Sequence, residues 1–137
     1  VSKYRKIKVE FKSEDALRAA LDDVAAARGL EYEYHPQGDN LRGYMGDMRA
    51  ETAQFIIRRR YVGQSANDLG FQLQANGTYS LLISDYDTRH RGQRIANDIK
   101  QRYAYHQTMN LAMQNGYQVI ETVQPDGSIV LELQRSY

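Results

Sequence analysis

The run Arg102-Tyr103-Ala104-Tyr105-His106 gathers a guanidinium, two phenols and an imidazole inside a stretch that reads as helix. On a wheel of 3.6 residues per turn, Ile95, Ile99, Arg102, His106, Met109 and Met113 fall on one line, with Tyr103 and Tyr105 flanking it. Polar groups thus interrupt the seam that faces the core. A guanidinium turned inward costs several kcal/mol unless it meets a carboxylate, carbonyls or a bound anion. Glu121, Glu132 and Asp68 are the expected counter-ions. Three readings follow. Arg102 ties the helix to a sheet in an internal ion pair, or the patch opens to a pocket that recognises an anion or a partner's acidic side chain, or His106 is catalytic. The last lacks a serine, cysteine or second histidine placed to complete a set. A wheel centred on Tyr105, Met109, Ala112 and Ile95 moves His106 to the rim but keeps Arg102 near the sheet. Arg102→Met separates the first two readings, costing several kcal/mol for an internal pair and little for a ligand contact.

Arg58-Arg59-Arg60-Tyr61 and Arg89-His90-Arg91 with Arg94 are two basic clusters that, with surface tyrosines, could hold a phosphate backbone or stack bases. Interspersed acids favour solvated faces that also discourage edge pairing. Leu41-Arg42-Gly43-Tyr44-Met45-Gly46 sets two glycines around an aromatic, which suggests a tight turn or a close backbone approach, with Arg42 and Tyr44 as candidate contacts for a ligand or partner. It is too short for a phosphate loop and lacks the following lysine. Asp85, Asp87 and His90 match neither a calcium loop nor a zinc spacing, so no metal and no cofactor is expected. His35, before Pro36 at a strand end, reads as an ordinary loop histidine.

These groups must be carried by a chain of 137 residues, the length of one domain, so a single domain over 1–137 is expected. The absence of cysteine excludes disulfides, thiolate metal sites and thiol catalysis, and fits a reducing compartment. With 18 basic and 17 acidic residues, no global field draws in nucleic acid or an anionic membrane. No stretch is apolar enough to cross a bilayer, and the opening VSKYRKIKVEF has no secretory pattern, so a soluble protein with a cytoplasmic address is expected. Eleven tyrosines without a tryptophan suit half-buried sheet faces and interfaces.

Strict alternation over Lys6 to Phe11, with Ile7, Val9 and Phe11 opposite Lys6, Lys8 and Glu10, predicts a first strand. Ser13 as N-cap, acid at Glu14 and Asp15, apolar Leu17, Leu21 and Val24, and a stop at Gly29 predict a helix over 14–28. A strand from Glu31 to His35 is expected to end in the loop formers from Pro36 to Asn40. The β-prone run from Thr52 to Val62 reads as a strand with arginine on both faces. Asn76-Gly77 predicts a hairpin between the alternating runs 69–73 and 79–83. After a polar, irregular stretch from Asp85 to Gly92, a second helix over Gln93 to Asn115 stops near Gly116. A last hairpin joins Tyr117–Val123 to Ile129–Leu133 through Gln124-Pro125-Asp126-Gly127. The expected fold is an α+β two-layer sandwich, a largely antiparallel sheet with two helices on one face.

Several of these motifs together resemble a family first catalogued as a hypothetical chloroplast open reading frame, found in cyanobacteria, algal plastids and other bacteria and filed as a domain of unknown function. The resemblance covers nearly the whole chain. It rests on Ser2-Lys3-Tyr4 with Ile7-Lys8, Arg42-Gly43-Tyr44 with Gly46, Asp68-Leu69-Gly70-Phe71, Gln101 through His106, and Asp126-Gly127-Ser128-Ile129 with Gln134-Arg135. By that resemblance Val1 stands at the initiator position. Relatives often carry a tryptophan in the segment that reads Ser84-Asp85-Tyr86-Asp87-Thr88-Arg89-His90 here, and the arginine-rich run is more basic in this chain. The family implies a small accessory protein and no defined activity. The leading expectation is a non-enzymatic interaction module that docks onto a protein partner. The alternative is anion or nucleic-acid binding through Arg102 or the arginine clusters.

Overall fold

The computed structural model describes residues 2–135, with 8–10 described by their backbone only. The first strand, β1 (Tyr4–Phe11), buries Phe11 and half-buries Ile7. The alternation expected of the Lys8, Val9 and Glu10 side chains lies outside the described residues, as does Val1. Helix α1 (Glu14–Arg28) begins where Ser13 Oγ accepts from the Ala16 backbone N–H at 3.1 Å. That bond satisfies one of the amides orphaned at a helix start and contributes about 1 kcal/mol. It ends at Gly29, whose φ of 64° is left-handed and suits glycine.

Strand β2 (Glu33–Arg42) runs straight through the residues expected to break it. It is an edge strand, in the sheet order β1-β5-β4-β3-β2, so the missing N–H of Pro36 leaves no ladder bond unmade. Its pairing with β3 (Met48–Ile57) jumps register between Tyr34 and Asp39, which absorbs Pro36, Gln37 and Gly38 in an irregularity. The Gly43-to-Gly46 segment is the tight turn between these strands, closed by Gly43 N–H to Asp47 O at 2.9 Å.

The strand expected to reach Val62 stops at Ile57. Arg59–Val62 form a one-turn helix, α2, so the three arginines do not occupy alternating strand faces. The cause is distant in sequence: buried Asp68 accepts from the Arg59 backbone N–H at 2.7 Å and turns the chain. Strands β4 (Leu69–Leu73) and β5 (Tyr79–Ser84) form the predicted hairpin, with Leu73 opposite Tyr79. A 3-10 turn at Asp87–Arg89 precedes the long helix α3 (Arg91–Gln114).

Helices α1 and α3 lie side by side on one face of the five-stranded antiparallel sheet. Leu17, Leu21, Val24, Ile95 and Ile99 pack there against Phe11, Phe55, Phe71, Leu81 and Ile83, each burial contributing about 1.5–3 kcal/mol. The expected two-layer α+β sandwich is therefore the fold. The opposite face carries a smaller cluster of Leu41, Ala53, Ile56 and Leu82, which closes over Gly70. A Cβ at Gly70 would stand 2.9 Å from Ala53 Cβ and 3.0 Å from Leu41 Cδ2. The last hairpin, β6 (Tyr117–Val123) with β7 (Ile129–Arg135), does not join this sheet; it makes a separate two-stranded ribbon beneath the distal half of α3.

Candidate functional site

Arg102 finds its carboxylate on α1. Its Nε donates to Asp23 Oδ2 at 2.9 Å, and His106 Nε2 shares the same oxygen at 2.6 Å. The expected counter-ions are engaged elsewhere or not engaged with it: Glu121 accepts from the Tyr105 hydroxyl at 2.7 Å, and Asp68 belongs to Arg58. The pair joins helix to helix rather than helix to sheet, and it sits at the rim, with side chains 32% and 37% exposed. Burial raises the Asp23 carboxyl, and the His106 and Arg102 donors outweigh it and hold the group below its usual value. The four residues thus divide their labour. Tyr103 Oη accepts from the Lys12 and Ser13 amides, its ring edge-on to Phe11, and so anchors the β1–α1 connection. Tyr105 bridges α3 to β6, with the Arg102 guanidinium 4.2 Å above its ring. A groove of about 560 Å³ between α1 and α3 is lined by Arg102 together with Asp23 and Asp98, a mixed charge that does not single out anions.

Of the arginines in ion pairs among the described residues, Arg58 is the least exposed, at 16%. It bonds Glu33, Asp39 at 2.5 Å, the Asn40 carbonyl and Asp68 at 2.8 Å. Burial pulls its pKa down, and Glu33, Asp68 and Asp39 together outweigh this and raise it. Arg58 in turn holds Glu33 and Asp39 below the usual carboxylate range. Asp68, fully buried, also accepts from the Arg42 amide at 2.7 Å, and Asn67 Oδ1 accepts from the Tyr44 amide at 2.9 Å. Arg42 and Tyr44 are thereby pinned by their backbones. Around this knot Arg42, Arg58, Arg59 and Arg60 line one cavity of about 430 Å³, shared with Glu33 and Asp68. Arg59 bonds the Ala66 carbonyl, and Arg60 lies over the Tyr61 ring.

The second cluster surrounds the start of α3. Arg89, Arg91 and Arg94 line a cavity of about 250 Å³ with His90, whose ring stacks on Tyr86 at 3.9 Å. Asp87 at its base is buried and bonds Asn67 and Ser84. His35 lies in β2 and not in a loop, 2.7 Å from Glu33. Glu33, His35 and Asp39 bring three ligand atoms within 4.8 Å of one another, a grouping that residue spacing did not suggest. Arg58 already supplies positive charge to both of its carboxylates. Among the described residues, none of the three imidazoles hydrogen-bonds a hydroxyl: their partners are Glu33, the Tyr86 carbonyl and Asp23.

Among the described residues seven tyrosine hydroxyls, those of Tyr4, Tyr32, Tyr61, Tyr79, Tyr103, Tyr105 and Tyr117, are bonded within the chain. Exposed apolar surface gathers elsewhere. Thirteen large hydrophobic side chains are exposed among the described residues, and seven of them fall between Leu111 and Leu133. Residue patterns predicted this hairpin but not its isolation from the main sheet.

Fold and site together define a small α+β sandwich in which Arg58 and Arg102 are internally paired and the distal helix and ribbon expose apolar side chains. The chain belongs to the family described as Protein of unknown function (DUF1257), which matches residues 26–131. It is similar to the uncharacterized protein ycf35 of Guillardia theta, 28% identical over 140 residues that cover 98% of each chain. No solved structure matches it. Among the described residues, no helix is long and apolar enough to cross a membrane.

Proposed function

We propose that this protein is a non-enzymatic accessory module, acting in the cytoplasm, that docks onto a protein partner through the distal half of α3 and the β6–β7 ribbon. The concentration of exposed hydrophobics in that region carries the reading. Leu111, Met113, Ile120, Val123, Ile129, Val130 and Leu133 are all exposed, whereas a monomer normally buries or disperses such side chains. A two-stranded ribbon is marginal on its own and gains stability from whatever covers it. Capture of the tagged protein from a cytosolic extract, with nuclease and at high salt, tests this beside a Val123→Glu/Leu133→Glu variant. Both side chains are already exposed, at 66% and 47%, so the variant should keep its circular dichroism. A stoichiometric partner that survives both treatments and is lost with the variant supports docking. Equal recovery by the variant sinks it.

A second reading, anion or nucleic-acid binding, draws support from the convergence of Arg42, Arg59 and Arg60 on one cavity. Arg102 contributes little to it, since Asp23 already neutralises that guanidinium. Binding of labelled RNA that weakens steeply with salt, and weakens further in an Arg42→Ala/Arg60→Ala variant, would favour this reading.

A further inference from the structure

We infer that the outer edge of β7 pairs antiparallel with β7 of a second copy of this chain, joining two ribbons into one four-stranded sheet. The inference rests on the docking reading above and names one occupant of that surface.

An open edge invites pairing, and monomeric proteins blunt it with charge, proline, bulges or irregular register. Both edges of the main sheet are blunted in this way. β2 carries Pro36 and two register shifts, and β1 carries Arg5 and Lys6 and shifts between Ile7 and Glu10. The ribbon strands carry no proline, bulge or register shift, and β7 is charged only at Glu132 and Arg135. The ribbon's seven residue pairs run without interruption from Tyr117 opposite Arg135 to Val123 opposite Ile129. β7 holds a single acid, Glu132, in the run Ile129-Val130-Leu131-Glu132-Leu133.

Coverage selects β7 over β6. α3 lies over β6, and Tyr105 bonds Glu121 there. Alternation puts Ile129, Leu131 and Leu133 on the same face as Glu121, which is the face toward α3. Above them the helix leaves open grooves. One of about 420 Å³ lies between Tyr105, Thr108, Ile129 and Leu131, and one of about 520 Å³ between Thr108, Leu111 and Leu133. Leu111, Ile129 and Leu133 stay exposed beside them. An apolar row under a half-built helical layer is the inner half of a sandwich lacking its other half.

Register selects a second copy. A two-fold axis through Leu131 sets Leu131 opposite itself, Ile129 opposite Leu133 and Val130 opposite Glu132, so all three inward apolar residues meet their like and no equal charges face each other. An axis one residue on would oppose Glu132 to itself, which is destabilising. Because the axis stands perpendicular to the sheet, both α3 helices fall on one face. Three strand spacings from β6 to its mate span about 14 Å, wider than the 8–10 Å of direct helix contact, leaving room for Leu111 and the β7 row between the helices.

The test uses the absence of native cysteine. Across an antiparallel pair the Cα atoms fall within the 4.4–6.8 Å that a disulfide spans, whereas two positions four residues apart along a strand are separated by about 14 Å. In the intact chain, Leu131→Cys should cross-link to itself under mild oxidation. Ile129→Cys and Leu133→Cys should stay uncross-linked singly and join when mixed. Sedimentation should show a dimer that Leu133→Lys, at an exposed position, dissociates at least tenfold more readily with unchanged circular dichroism. A monomer at every concentration overturns the inference, as does a dimer that cross-links through Ile120→Cys on β6 and not through residue 131. Neither result touches the docking reading, which is judged by partner loss in the Val123→Glu/Leu133→Glu capture.

Discussion

Two arginines of the same type do opposite amounts of structural work, and burial decides which. Arg58 sits at 16% exposure against the fully buried Asp68, so removing it strands a carboxylate in the interior. Arg58→Met should cost about 3 kcal/mol in chemical denaturation, the lower end for breaking a buried pair because two backbone amides still reach Asp68. Arg102 pairs at the rim, where water screens both partners. Arg102→Met should therefore cost only about 0.5–1 kcal/mol, short of the several kcal/mol expected for an internal pair. If the two variants prove equally destabilising, this assignment of roles fails. The wheel drew Arg102 and His106 onto the centre of the core-facing line, whereas they sit at its rim, 32% and 23% exposed. It could not show that their shared oxygen belongs to Asp23, because which carboxylate of another helix comes alongside depends on how the two helices pack.

At the scale of elements, local rules succeed where an element's reasons are local. Ser13, the alternation of β4 and β5 and the Asn76-Gly77 turn name their structures unaided. They fail at β2 and α2. Pro36 breaks a central strand but not an edge, and edge position is a property of the sheet. Arg58-Arg59-Arg60 leaves the strand because Asp68, ten residues beyond Arg58, caps the turn. Close packing of β2 and β3 over β4 makes Gly70 a steric requirement. Gly70→Ala should destabilise by about 1–3 kcal/mol, since Ala53 and Leu41 are buried and have nowhere to go. Gly43→Ala should cost far less, because the added methyl meets only the movable Asp47 carboxylate. Thermal denaturation of the two variants side by side checks the contrast.

Across the whole molecule, depressed carboxylates link stability to pH. Asp23, Glu33 and Asp39 all titrate lower folded than unfolded, through His106 and Arg102 for the first and Arg58 for the other two. Each binds fewer protons when folded, so its stabilisation is complete above the unfolded value of about 4 and disappears as pH falls through the folded one. Denaturation midpoints should hold level from pH 7 to about 5 and drop below about 4, and Arg58→Met should flatten that drop. The amino-acid sequence by itself determined the α+β class, the two amphipathic helices, both hairpins and the family, because periodicity, caps and turn residues act over a few positions. Only the tertiary structure decided which carboxylate meets which arginine, that Pro36 lies on an edge, and that the last hairpin stands apart with its apolar face half covered. Those outcomes depend on which elements become neighbours, and neighbourhood is settled by packing among residues far apart in the chain.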